Sequence, residues 1–543
     1  MDAMDAIEHY GIWSVLPPLL AVFLAMLTRR IIPSLLVGVF AACLILSAGD
    51  PLQAVVRCVR DDLLQSLLMA EHIQVFAFTL LVGGMVGVIH SSGGMQSLVL
   101  LIEPFASDRR RGQLFTWIAG LVIFFDDYAN TLLLGTTFQP VTDRLKISRE
   151  KLAYIVDSTA APVAGLALVS TWVAGEVNFI GTGLEQIEFH DSGGRAFLIF
   201  VKTIVYRFYP ILALVFVGIV AQSGKDFGPM LRAEERALTK KKKLEQEHQN
   251  HSSLSPVTTS RNLTGDNRWR IILALVPIIT LVSVLVIALL ATGFLESATD
   301  SSLWEIVGAG DAYGALVWAS LAGCLMAMLL SWIANTGTWK DILIWAWRGF
   351  KMMSSALVVL WLAWTLADLT SPSGSSERLG TSVYLAGLLG DAISPAWLPT
   401  LVFLLASTVA YCTGTSWGTM SILVPLVIPL AWKIIGGTSE AMLYTPIFSA
   451  SVGGVLAGSI FGDHCSPLSD TTILSSRASG CDHMAHVWTQ APYALLIALI
   501  SIVAGTIPVG FGVPIEIALP GAIVLLWLAH RFMARSIGTE ETC

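Results

Sequence analysis

Charge is scarce in this chain: 13% of its 543 residues are Asp, Glu, Lys or Arg, against 55% hydrophobic. That balance excludes a soluble enzyme carried on a single anchor. A phosphate-binding G-x-x-x-x-G-K-[ST] loop is missing, so ATP drives nothing here. The seven cysteines (Cys43, Cys58, Cys324, Cys412, Cys465, Cys481 and Cys543) fall without C-x-x-C spacing, and no disulfide framework is implied. His464 beside Cys465, with Cys481, His483 and His486 beyond, lacks soft-metal spacing as well and lies in part at the cytoplasmic rim. No Lys or Arg precedes the first apolar run, whereas Arg29 and Arg30 follow it. That run reads as a retained span rather than a cleaved leader.

What the chain does have is apolar runs of bilayer-spanning length, recurring from residue 11 to residue 529. This is the pattern of an all-α polytopic membrane protein. The net charge of −7 does not orient it; the positions of Lys and Arg do. Arg29 and Arg30 put the first turn in the cytoplasm and the N-terminus, with Asp2, Asp5 and Glu8, outside. Runs at 11–28, 31–48, 73–90, 151–175 and 197–222 cross within a first membrane block, residues 1–222. Residues 52–71 carry Arg57, Arg60, Asp61 and Asp62 among leucines and read as a helix lying in the interface. Residues 223–268, with lysines 240–243 and many Ser, Thr and Asn, read as a solvated, disordered cytoplasmic linker. A second block, 269–510, repeats the order with runs at 269–291, 313–334, 356–370, 442–476 and 489–509, and an amphipathic stretch at 339–354. Loops carrying Glu176, Glu185, Glu188 and Asp191, and Glu296, Asp300, Glu305 and Asp311, are expected to fall outside. One extra span, 513–529, lies in the tail 511–543, whose C-terminus is cytoplasmic behind Arg531 and Arg535.

Within these runs lie polar interruptions. The stretch GGVLAGSIFGDHCSPLSDTTILSS (453–476) begins apolar and then sets Asp463, His464, Ser466, Pro467, Ser469 and Asp470 at bilayer depth. A carboxylate there costs roughly 2.5–3.5 kcal/mol on insertion scales and marks an ion or proton path. Gly462 and Pro467 loosen the backbone, so a discontinuous helix is expected. The first block has a matching interruption from Asp157 to Pro162. Each block also has two apolar arms around a polar tip: 114–147 around residues 126–130, and 396–432 around residues 411–418. These read as re-entrant hairpins surrounded by protein. RFYP (207–210) answers TQAP (489–492), and TLLVGG with HSSGG (79–94) answers WTLAD with TSPSG (364–374). The span count gives the two blocks opposite orientations. Two inverted-topology repeats, each with a re-entrant hairpin and a discontinuous helix, would build a site at their interface near the midplane.

Asp157 and Asp463 occupy the matched interruptions and are the expected Na+ ligands and proton acceptors; the plainer reading is a carboxylate neutralised by Lys202 or Arg207. Asp126 and Asp127 are adjacent, so one would line a cavity while the other caps a helix, and which does which stays open. Asn130, Thr131, Ser158, Thr159, Thr413, Thr415, Ser416, Ser466, Ser469 and Thr471 offer neutral oxygens. With a carboxylate and freed carbonyls these suit a hard cation; the plainer reading is hydrogen bonding to their own backbone. Asp470, seven residues beyond Asp463, is placed on the same side, and His464 is a pH-responsive neighbour.

GDHCSPLSDTTILSS (462–476), DDYANTLLLGTTFQPVTDRLKISREKLAYIVDSTAAPVA (126–164) and GTSWGTM (414–420) closely resemble the NhaC family of Na+/H+ antiporters, and the likeness covers nearly the whole membrane portion. It implies cation/proton exchange in the cytoplasmic (inner) membrane on a fold of paired hairpins and broken helices. Some relatives exchange organic acids, malate against lactate with Na+ and H+. The lysine-rich linker and acidic N-terminus lie outside the pattern. The expectation is therefore a secondary Na+/H+ antiporter working by alternating access, not an enzyme, with no cofactor and no nucleic-acid partner. Li+ is a second cation to consider, and a homodimer is one assembly open to it. Taking a carboxyl group out of water favours its protonated form and a bound cation favours the ionised one, so the two ions exclude each other. The alternative is Na+- or H+-coupled exchange of an organic acid or amino acid, with the 413–418 tip holding a carboxylate on helix N-terminal amides. A passive channel would never run uphill, and an intramembrane hydrolase leaves the repeat without a reason.

Overall fold

Apolar runs in lipid must satisfy their own backbone, and here they do so as helices. The computed structural model describes residues 10–28, 30–94, 97, 107–124, 126–168, 170–187, 194–250, 270–296, 306, 310–370, 378–381, 384, 394–467 and 469–537. Asp2, Asp5, Glu8, Glu188, Asp191, Asp300, Glu305, residues 371–374 of one repeat match and linker residues 251–268 lie outside these.

The first half contains α1 (Leu16–Thr28), α2 (Ile31–Leu46), α3 (Ala70–Ser91), α4 (Arg109–Val122), α5 (Asp127–Arg144), α6 (Arg149–Ala164), α7 (Val173–Glu185), α8 (Gly194–Thr203) and α9 (Phe208–Ser223). A short strand, β1 (Lys225–Asp226), leads into α10 (Gly228–Asn250). The second half contains α11 (Ile272–Glu296), α12 (Ala312–Ile333), α13 (Trp339–Thr370), α14 (Leu398–Thr413), α15 (Ser416–Ile434), α16 (Pro446–Cys465), α17 (Asp470–Ala478), α18 (His483–Ile500), α19 (Ile515–Met533) and β2 (Arg535–Ser536). Among the described residues, 7 helices are long and apolar enough to cross a membrane, or 8 if one bent pair is a single span. The chain is a multi-pass helical membrane protein.

Four segments depart from the sequence reading. Residues 339–354 and 356–370 form one helix, α13, because no proline separates the amphipathic start from the apolar end. The run 197–222 bends by 48° at Arg207, whose φ −82°, ψ 69° leave the helical region just before Pro210 in the first turn of α9. Residues 52–71 are not a freely lying helix: Arg57–Leu63 is π-helical, and Asp62 is buried against Arg378 (2.9 Å) and Arg57 (3.7 Å). The start of the linker is folded. β1 pairs antiparallel with β2, and Asp226, Phe227, Met230 and Glu234 are buried. In the sequence the lysine run outweighs the apolar residues Phe227, Met230 and Ala233 that precede it, so the whole segment reads as disordered.

Close approach sets the packing around the site. Gly454, Gly458 and Gly462 form a ladder on α16 against α14. A Cβ on them would lie 2.8 Å from the Pro399 carbonyl oxygen, 2.4 Å from that of Phe403 and 2.2 Å from that of Ser407. Only a residue without a side chain admits such contact, as in small-residue crossings of membrane helices. The halves also interlock reciprocally: α5 of the first packs along α17 of the second, and α15 of the second packs along α7 of the first. At the latter contact, Trp417 meets Trp172 edge-on at 5.8 Å. Helices α4 and α5 form a hairpin whose two ends are tied where Arg109 donates to the Lys146 carbonyl. The 14 residues of α4 span roughly 21 Å, short of the ~30 Å hydrocarbon core.

Candidate functional site

The expected break in the first half lies further along the chain than the sequence indicated. Ser148 caps α6 by accepting from Lys151 N–H (3.1 Å), and the helix runs unbroken through Asp157 to Ala164. Pro162 removes one backbone donor but does not stop the helix, since a single missing bond in a well-packed segment is tolerated. The helix is capped at Gly165 and the next begins at Val173, and around Gly165 and Ser170 side chains take over the backbone's bonds. The Ser170 hydroxyl donates to Ala164 O (2.7 Å) and accepts from Trp172 N–H (3.1 Å). Arg207 donates to Gly165 O and pairs with Glu176 at 2.6 Å. Arg207 is therefore committed to this strap, and Lys202 sits 3.9 Å over the Tyr444 ring. Neither neutralises an interruption aspartate. In the second half Asp463 does lie in the last turn of α16, directly before the helix ends at Cys465.

Asp157 is buried, and its Oδ2 accepts from Gln490 Nε2 (2.7 Å), Thr472 Oγ1 (3.2 Å) and His486 Nε2 (3.2 Å). His464 Nε2 stands 3.9 Å from the same oxygen and 3.2 Å from Ser158 Oγ, while its Nδ1 is 2.6 Å from the Tyr209 hydroxyl. Gln490 Nε2 also donates to His464 O at 2.6 Å, joining α6 to the end of α16. Asp463 is buried beside Ser469, with Asp157, Asp127 and Asp470 as its electrostatic neighbours. Among the described residues no Lys or Arg forms an ion pair with Asp157 or Asp463. One oxygen of each, Oδ1, is buried without a hydrogen-bond partner.

The hairpin tip contributes Asp126, Asp127 and Asn130, all buried. Asp127 opens α5, where the helix N-terminus favours negative charge. The Asn130 amide nitrogen donates to Gly120 O (2.8 Å), Ile123 O (2.9 Å) and Thr159 O (3.1 Å), tying the tip to α6. Those three acceptors fix the amide's orientation, so its Oδ1 is the atom left buried and unpartnered.

The remaining hydroxyls divide by what they bond. Thr131, Thr159 and Thr413 donate to carbonyls one turn back, at 2.8, 2.8 and 2.9 Å. Thr415 caps α15 through Gly418 N–H (3.3 Å), and Ser416 is buried at the start of that helix. Ser469 caps α17 through Thr472 N–H (3.4 Å) and lies 2.9 Å from Thr471. Ser466 donates to Tyr411 O (2.8 Å), holding the break to the second hairpin's tip. Asp470, in the first turn of α17, is exposed.

Tyr209, Thr472 and Gln490 carry no site role in the sequence reading, and His486 enters it only at the cytoplasmic rim. His486 is fully buried against Asp157, not at a rim. The signal available was its spacing: His486, Gln490 and Tyr493 form a polar stripe on one face of an otherwise apolar helix.

Residues 163–507 match the Na+/H+ antiporter family. An uncharacterised protein of Haemophilus influenzae is 32% identical over 512 residues, covering 92% of this chain and 91% of that protein. The malate-2H+/Na+-lactate antiporter of Bacillus subtilis is 32% identical over 153 residues, 24% of this chain and 31% of that protein. In fold, the chain is similar to the crystal structure of the Alcanivorax borkumensis YdaH transporter, with a TM-score of 0.57 at 14% identity over 92% of this chain and 99% of that one. Since the family match takes in the second break and most of the site, the chain belongs to the Na+/H+ antiporter family and is a secondary transporter.

Proposed function

We propose that this chain exchanges Na+ for H+ across the cytoplasmic membrane by alternating access, with the two ions competing for Asp463 and Asp157. The observation that carries this reading is the pair of buried carboxylates that, among the described residues, pair with no Lys or Arg and each keep one oxygen without a hydrogen bond. A hard cation takes several oxygen ligands, and Asn130 Oδ1 and Gln490 Oε1 are buried and unpartnered as well. A carboxyl group that holds a proton has lost the charge that a cation needs, and a bound cation favours the ionised form, so each ion excludes the other. The reciprocal packing of α5 on α17 and α15 on α7 supports two inverted repeats meeting at this point. The arginines near 109–111, at the open end of the first hairpin, favour the cytoplasm for that face.

A second reading keeps the coupling ions but adds an organic acid, as in the name of the Bacillus subtilis relative. Asp463 is buried with Asp157 and Asp127 as electrostatic neighbours, and Asp126 adjoins Asp127; negative charge so placed would repel an organic anion, which favours the cation reading. The test is a pH-dye assay in proteoliposomes with Na+, Li+, K+ and malate offered separately. Na+ should move protons uphill in wild type and fail to do so in Asp463→Asn. Proton movement driven only by malate would overturn the proposal. Competition also sets a sign: as pH falls and the carboxyl groups protonate, the apparent KM for Na+ should rise, approaching tenfold per pH unit once protonation dominates.

A further inference from the structure

On the linker side of Asp157 the molecule closes in two layers that ion competition does not use. The first is aromatic. Tyr154, one turn before Ser158 on α6, meets Tyr493 of α18 edge-on at 5.0 Å. The Tyr493 ring also packs on Phe227 (4.5 Å) and Phe216 (5.4 Å). The second layer is ionic. Lys151 pairs with Asp226, whose Oδ1 also accepts from the Tyr493 hydroxyl at 2.5 Å. Lys151, Tyr154, Asp226 and Tyr493 are all buried. Further along the same surface, Glu234 of α10 pairs with Arg109 and accepts from Ser148 N–H (2.7 Å). The linker thereby holds the root of the α4–α5 hairpin and the N-cap of α6 together. Lys151 lies roughly 9 Å along α6 from Asp157 at the helical rise. The linker is itself held to the C-terminal tail, with Asp226 opposite Arg535.

Buried ion pairs contribute little net stability compared with apolar packing, yet they select one arrangement of the elements that carry them. Here the carriers are the site helix α6, the hairpin, α18 and the segment joining the two halves. We infer that Asp226 and Glu234, supplied by the linker, close a gate on this face. They are positioning residues that hold the bases of α6 and the hairpin against α18, and the site opens toward this face only when they let go. The inference rests on the transport reading above but not on which ion is carried.

The test uses the full chain in membrane vesicles, with native cysteines replaced by serine and Ser158→Cys as a reporter just beyond Tyr154. A membrane-impermeant maleimide is applied from the linker face. Replacing the pair together, K151M/D226L, avoids a lone buried charge and should raise the labelling rate about tenfold as the open population grows. Tyr493→Phe removes only the hydroxyl held by Asp226 and should raise it several-fold. Fold is checked by monodisperse elution in detergent. Unchanged labelling in folded protein of both variants overturns the gate; if K151M/D226L does not fold, Tyr493→Phe alone decides. Faster labelling without any Na+-driven proton movement in the wild type would sink the Na+/H+ reading and leave the gate standing. Unchanged labelling with intact exchange would do the reverse.

Discussion

Gln490 donates through one nitrogen to acceptors on two different elements, the Asp157 carboxylate on α6 and the His464 carbonyl at the end of α16. Gln490→Ala strips a donor from a buried carbonyl, a loss of about 1–3 kcal/mol, and loosens the Asp157 carboxylate. We expect a lower melting temperature and a KM for Na+ raised about tenfold, the equivalent of 1.4 kcal/mol, read by Na+ titration of proton flux. A variant with wild-type KM would remove Gln490 from the site. Asp157→Asn keeps an oxygen for these donors but loses the charge, so it should fold normally and lose Na+-driven proton flux. Retained flux would assign Asp157 to structure alone. The aspartates were legible in sequence because charge at membrane depth stands out against leucine and valine. His486 and Gln490 were not, because near Arg477 a polar residue looks like the edge of the bilayer. Only the packing of α18 on α6 turns that stripe inward.

At the level of elements, the Gly454–Gly458–Gly462 ladder makes α16 inseparable from α14. Gly458→Leu would drive a side chain into the Phe403 carbonyl, where a Cβ alone already comes within 2.4 Å. Overpacking costs typically 1–3 kcal/mol, and more where the obstacle is backbone that cannot rotate away. We expect this variant to lose its monodisperse peak in size-exclusion chromatography. Gly521→Leu on α19, whose Cβ meets nothing within 4 Å, should elute as wild type. Equal behaviour of the two would refute the close-approach argument. Element boundaries were less legible than element types. Pro162 suggested a break at Asp157, yet Ser170 and Arg207 show where the backbone bonds are actually replaced. Those partners lie downstream in the chain and cannot be paired with the break by spacing. The linker's folded start was hidden likewise, since Asp226 and Glu234 become structural only opposite Lys151 and Arg109.

Across the whole molecule, the two halves are held by contacts distributed over several elements rather than by the segment that joins them. Helix α5 runs along α17, α7 along α15, and Gln490 bridges to Asp157 across the interface. Asp226 and Tyr493 add a further link, and β1 pairs with β2 at the far end of the chain. Apolar runs and their interruptions announce two halves in the sequence, but not their interlocking, which depends on pairings more than two hundred residues apart. The reciprocal packing has a direct consequence for the linker. A protease site placed between residues 250 and 270 leaves β1, the start of α10 and both interlocked pairs intact on either side of the cut. The cleaved protein should therefore elute as one complex in mild detergent and keep its exchange rate within about twofold, since contacts this extensive resemble a single core divided between two chains. Separation of the fragments would mean that the peptide link, not the packing, holds the halves in register. A complex that stays together but loses exchange would instead make the intact linker part of the moving machinery.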